Sequence, residues 1–240
     1  MSRVSVRASD IELVADVAGS DFGRTVLFLH AGGETRDVWT AISERISLDG
    51  WRSIAPDLRG HGDSGRPKEY LLDEFVSDAE LLVRELAGEP VVVVGASLGG
   101  VIGLLLAGEC RCAVAGLVLL DLPTAPAPAV VESERAKVVR AHKRRSTAVK
   151  DLDLRFVEGP FVDEVLANLD RWRRAAQSIR VPTLLIRGSR SQAIGARELE
   201  LFLHDLPDAE VVTLEAGHLL AREQPGTVAQ HLISFLRRLS

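Results

Sequence analysis

The stretch Gly95-Ala96-Ser97-Leu98-Gly99 sets one serine between two glycines, with four valines, Val91 to Val94, leading in and small or apolar residues leading out. The pattern reads as a strand, a sharp turn and a helix. A serine in such a turn stands clear of the sheet on a strained backbone, and its neighbours must be small enough for strand and helix to approach closely. Gly95 and Gly99 meet that need. The chemistry on offer is nucleophilic. The Ser97 hydroxyl is lifted into reach, and the Leu98 amide, unpaired at the helix start, points where negative charge would develop. That amide is half of an oxyanion hole. Taken alone, the pentapeptide also fits an ordinary glycine-rich turn, so its surroundings must decide.

The elements around it alternate. Arg3 to Ala8 and Ile11 to Val17 are short alternating runs that predict an N-terminal hairpin at a sheet edge. Thr25 to His30 is an apolar strand ending in His30-Ala31-Gly32-Gly33, and a helix is predicted from about Thr35 to Ser47. Arg52 to Asp57 is the next strand and breaks into the irregular loop DLRGHGDSGRP. Leu72 to Ala87 has helical spacing. Val91 to Val94, β-branched throughout, suits a strand buried on both faces, followed by a helix over Leu98 to Gly108. Leu117 to Asp121, Pro182 to Arg187 and Glu210 to Glu215 are further strands, and helices are predicted over about Ala196 to Leu206 and Pro225 to Leu239. Between Leu122 and Ile179 the period changes to a Pro/Ala linker and charged helical segments, read as a small cap within a single domain of residues 1–240. Strands alternating with helices predict a mainly parallel sheet covered on both faces.

Ligands of such sheets bind beyond the carboxyl ends of the strands, so residues that follow strands are the functional candidates. These are His30-Ala31-Gly32, Ser97, Asp121, Gly188 to Gln192 and His218.

Composition excludes several classes. A chain of 240 residues with 46% hydrophobic residues can bury one large core. A net charge of −5 gives no basic field for nucleic acid or an anionic membrane, and neither is an expected partner. The basic run Lys137 to Arg145 reads as the solvated face of a helix. No signal peptide or membrane span is visible, so a cytoplasmic protein is expected. Cys110 and Cys112 are too close for an ordinary disulfide and have no companions for a metal site, and no metal or organic cofactor is expected. Oligomeric state is left open.

With LFLHAGG, APDLRGHGDSG, VVVVGASLGG, LVLLD and EAGHLL in this order, the chain resembles the α/β-hydrolase superfamily, in particular its small, short-capped esterase, lactonase and haloperoxidase-like branch. The resemblance implies an eight-stranded, mainly parallel sheet with a short helical cap inserted at about 122–179. It also implies Ser97 as nucleophile, His218 as general base, and the amides of Gly32 and Leu98 as oxyanion hole. The physical reading agrees, because a serine hydroxyl needs a neutral imidazole to take its proton and return it to the leaving group. His218 lies in a glycine-containing loop after the last strand. His30 is expected to shape the loop of Gly32, and His61 to bond local backbone. His142, His204 and His231 fall on polar helix faces.

One departure stands out. Relatives carry the triad aspartate in the loop after the seventh strand, which here reads GSRSQAIG, with Gln192 where the acid is expected. Glutamine can accept a hydrogen bond but brings no charge to stabilise imidazolium. Asp121 is the alternative, since some branches place the acid at the end of the sixth strand. Asp121 is the acid expected here, although many relatives keep an aspartate there as well as the later one, which makes a structural role the other reading, and Asp57 is a weaker candidate tied to the RGHG turn. The expected function is hydrolysis of a small or medium uncharged ester, lactone or thioester through an acyl-enzyme, the substrate being a small acyl compound. Carbon–carbon hydrolysis and cofactor-free perhydrolysis use the same triad. A non-catalytic binding protein on the same fold is the reading from another class.

Overall fold

The computed structural model describes residues 1–88, 90–109, 114–127, 129, 132–133, 136, 139–140 and 152–239. Cys110, Cys112 and His142 lie outside these, as does most of the Lys137 to Arg145 run.

Eight strands form one sheet in the order β1-β2-β4-β3-β5-β6-β7-β8. They are β1 Ser2–Arg7, β2 Glu12–Ala18, β3 Thr25–Leu29, β4 Arg52–Pro56, β5 Val91–Ala96, β6 Val114–Leu120, β7 Thr183–Gly188 and β8 Glu210–Leu214. The N-terminal hairpin is antiparallel and joins the edge through β2 and β4, and from β4 to β8 every pairing is parallel. Val91 to Val94 therefore lie mid-sheet, and all four are buried.

Side chains alternate across a strand, so one run of valines serves two cores. Val91 and Val93, with Leu117 and Leu119 of β6, pack on the face covered by α2 (Leu72–Leu82) and α3 (Leu98–Glu109). Val92 and Val94, with Val118 and Leu120, pack on the opposite face, where Trp39, Ile42 and Ile46 of the helix-forming segment before β4 meet the C-terminal helix. The first of those helices is α1 (Thr40–Leu48), entered by a 3-10 turn over Arg36–Trp39. Its C-terminal partner, Pro225–Arg238, buries Val228, Ala229, Leu232, Phe235 and Leu236, the spacing of one helical face, and starts with proline, whose missing N–H costs nothing at a first helical position. The predicted helix over Leu72 to Ala87 holds to Leu82. Its last turn, Val83–Ala87, widens to π geometry and stops at Gly88, whose φ of 62° suits glycine.

Between β6 and β7 come α4 (Leu154–Glu158), α5 (Phe161–Ala167) and α6 (Leu169–Ser178). They are anchored by few large side chains. Phe156, Phe161 and Trp172 are each 5% exposed or less and join the same core as α2 and α3. A backbone bridge between Leu152 and His61, and a 2.8 Å bond from the Tyr70 hydroxyl to Asp153, fasten the start of this segment to the loop after β4. After β7 follow α7 (Ala196–Asp205), β8, the short α8 (Leu220–Glu223) and the C-terminal α9 (Pro225–Arg238).

Candidate active site

Ser97 sits in the turn between β5 and α3 with φ of 47°, a left-handed conformation that costs a non-glycine residue strain. A Cβ on Gly95 would overlap the carbonyl of Gly99, and one on Gly99 would overlap that of Leu29, so only glycine lets the turn close. The Ser97 amide donates to Leu120 O at 3.3 Å and the Gly99 amide to His30 O at 3.2 Å. Between them lies the Leu98 amide, in the first turn of α3, where the helix itself offers no acceptor. Gly32, in the loop after β3, is its neighbour: a Cβ built on Gly32 would stand 3.9 Å from Leu98 Cβ.

That loop is held from beneath by two buried imidazoles. Both rings are fully used. His30 Nδ1–H donates to Ala31 O at 2.9 Å, and its Nε2 accepts from the Leu58 amide at 2.9 Å. His61 Nδ1–H donates to Arg59 O at 3.0 Å, and its Nε2 accepts from the Gly33 amide at 3.0 Å. Burial drives both towards the neutral form, His30 down to about 4 and His61 down to about 3. His61 thus does more than the local bonding expected of it. It joins the loop of Gly32 to the RGHG turn and stacks edge-on against Phe156, ring centroids 4.7 Å apart. Asp57 belongs to that framework too, accepting from the amides of Arg36 and Asp63, each at 2.8 Å, and pairing with the Arg36 guanidinium.

Asp121 ends β6 with φ of 52°, and among the described residues it and Ser97 alone are non-glycine with positive φ. Its carboxylate is buried and has three donors. His218 Nδ1 lies 2.8 Å from Oδ2, the Gly188 amide donates to Oδ1 at 2.9 Å, and the Ser191 hydroxyl donates to Oδ2. A bond at Nδ1 makes that nitrogen the N–H and leaves Nε2 as the acceptor nitrogen of the ring. The His218 loop can approach because residue 188 is glycine, where a Cβ would overlap the carbonyls of Ala216 and Gly217.

Ser97, Leu98, Gly32, Asp121 and His218 thus all lie at the carboxyl ends of β3, β5, β6 and β8, where the side chains of Asp121 and His218 are in direct contact. Gln192 is exposed, and it is Ser191, one residue earlier, that reaches Asp121. Ser191 fell within the candidate loop Gly188 to Gln192 but with no role of its own, and Glu34 was not legible as a site residue in the sequence. Glu34 follows the Gly32-Gly33 pair, is 5% exposed and pairs with the half-exposed Arg222 of α8 at 3.1 Å, so an ion pair with one buried partner ties the loop of Gly32 to the helix after His218. Burial raises the Glu34 carboxyl, against the opposing pull of Arg222 and His218. The only forewarning was position, since both residues fall in loops at strand ends.

Beside Gly32 lies a buried aromatic cluster. Phe156 approaches a Cβ position on Gly32 to 3.4 Å, and it packs with Phe75, Phe161 and Tyr70.

Residues 24–144 match the profile of the alpha/beta hydrolase fold family, half of the chain, and the chain belongs to that family. Among curated relatives it is similar to Lipase 1 of Psychrobacter immobilis, 25% identical over 88% of this chain and 76% of that one. It is also similar to Lipase LipV of Mycobacterium tuberculosis, 28% identical over 85% of this chain and 90% of that one. Among solved structures, E-2-(acetamidomethylene)succinate hydrolase superposes with a TM-score of 0.82 at 22% identity, covering 98% of this chain and 100% of that one, a likeness of fold. The family and its lipase-named relatives make the chain a hydrolase of the α/β fold.

Proposed function

We propose that the chain is a serine hydrolase that cleaves a small or medium uncharged ester, lactone or thioester through an acyl-enzyme. The observation that carries this reading is the 2.8 Å contact between His218 Nδ1 and the buried Asp121 carboxylate, at the same sheet end as the strained Ser97 turn. In this reading Nε2 of His218 takes the Ser97 proton as Oγ attacks the acyl carbon, and Asp121 stabilises the imidazolium that forms. The tetrahedral oxyanion is met by the amides of Leu98 and Gly32, whose strand-end positions are set before substrate arrives. His218 then hands its proton to the leaving alcohol or thiol. Water repeats the sequence on the acyl-enzyme, releasing the acid and restoring Ser97.

The aromatic wall of Phe156, Phe75 and Phe161, together with Leu98, supports an uncharged, apolar acyl group. In this reading residues 122–179 act as a cap that covers it. The test is hydrolysis of a panel of p-nitrophenyl esters of increasing acyl length, with lactones alongside, by the wild type and by Ser97→Ala. Turnover of uncharged esters that vanishes in Ser97→Ala is the expected result, and turnover surviving the change removes Ser97 from the mechanism.

A further inference from the structure

The loop after β7 supplies no carboxylate, yet it is not idle. Ser189 N–H donates to Leu214 O at 2.8 Å and Arg190 N–H to Ala216 O at 2.9 Å, so the loop is laid along β8 and the start of the His218 loop. A turn closed by Ser191 N–H donating to Gly188 O at 3.2 Å aims the Ser191 side chain back towards β6. There its hydroxyl donates to Asp121 Oδ2, the same oxygen that faces His218 Nδ1, while accepting from the Ala193 amide at 3.1 Å. The two partners orient the hydroxyl, because Ala193 N–H can only donate and the carboxylate oxygen accepts, so the single hydroxyl proton is directed at Asp121.

A carboxylate that ends a strand can swing about its last torsion, and the imidazole it serves would swing with it. Asp121 is held at three points by Gly188, Ser191 and His218, and Ser191 is the only one of the two supporting donors that shares Oδ2 with the imidazole. We propose that Ser191 is a positioning residue for the reaction, fixing the Asp121 carboxylate in the plane of His218 and sharing its Oδ2 charge. In this chain the loop that holds the acid in relatives of the other arrangement thus holds the acid's clamp, while the acid sits at the end of β6. The inference rests on Asp121 serving His218 in catalysis.

The experiment compares Ser191→Ala and Ser191→Thr with wild type in p-nitrophenyl ester hydrolysis, and follows the low-field proton resonance of His218 Nδ1–H by NMR. Loss of one hydrogen bond to a charged group predicts a kcat about tenfold lower in Ser191→Ala, with KM within about twofold. The Nδ1–H resonance should shift, and Ser191→Thr, which keeps the hydroxyl, should recover most of both. A Ser191→Ala enzyme with wild-type kcat and an unmoved resonance overturns the proposal. So does a loss of activity that Ser191→Thr does not recover or that comes with an unmoved resonance, which marks a loop-folding role alone. Asp121→Asn separates the two levels. If it abolishes turnover while Ser191→Ala does not impair it, the triad stands and the role of Ser191 falls. If Asp121→Asn turns over normally, the triad reading fails first and the role of Ser191 with it.

Discussion

His218 Nδ1 and Asp121 Oδ2 are 97 residues apart in the chain and 2.8 Å apart in space, joined across the ends of β6 and β8 with β7 between them. The separation is bridged by glycine. Residue 188, at the end of the intervening strand, has no Cβ to hold the two loops apart, and its amide anchors the other carboxylate oxygen.

If that contact stabilises imidazolium during turnover, Asp121→Asn should lower kcat by up to about 10⁴-fold, the scale seen when a triad aspartate loses its charge. Gln192→Ala should change little, since Gln192 is exposed. A carboxylate restored in the β7 loop should recover part of the loss, and the geometry favours position 191 over 192, because Ser191 already touches the oxygen that faces His218. Steady-state kinetics on Asp121→Asn alone, with Ser191→Asp and with Gln192→Asp check the order: recovery is expected with the former pair and not with the latter.

The alternation of elements was legible because buried parallel strands leave an unbroken signal, as in Val91 to Val94, and because Gly95 and Gly99 mark a close approach in any reading. The hairpin edge and the order of strand-end loops followed from the same signals. Less legible were features decided by tertiary contact. The π turn over Val83–Ala87 leaves helical periodicity nearly intact, and the short α8 has too few residues for any period. In the GSRSQAIG loop, sequence position pointed to residue 192 as the acid's usual place, whereas the turn closed on Gly188 directs Ser191 inward and Gln192 outward. Nor does a sequence reveal that Glu34 meets Arg222, a pairing made only when the loop after β3 packs beside α8.

The two imidazoles beneath the Gly32 loop make stability depend on pH. Both are neutral when folded, with values lowered to about 4 for His30 and about 3 for His61, whereas an unfolded histidine titrates near 6.5. The unfolded chain therefore binds more protons below about pH 6.5, and the contribution, complete above that value, is lost as pH falls towards the folded values, at about 1.4 kcal/mol per pH unit for each histidine. The buried Asp57, Asp78 and Glu34 carboxyls, raised by burial, act in the opposite sense at the acid end. Comparing wild type with His61→Gln isolates the histidine. Urea melts between pH 7 and 5 should show a shallower loss in the variant, and parallel curves would show that His61 is not buried neutral.

The central claim, that Ser97 is a nucleophile activated by His218, is tested most directly by a fluorophosphonate, which phosphonylates an activated serine and stays attached. Intact-protein and peptide mass spectrometry should find one adduct, on Ser97, formed as fast as on an ordinary esterase. Ser97→Ala should take up none, and His218→Ala should react at least about 10³-fold more slowly, because the two residues act as one unit. A Ser97 left unmodified under conditions that label an ordinary esterase, or one labelled equally fast without His218, would contradict it.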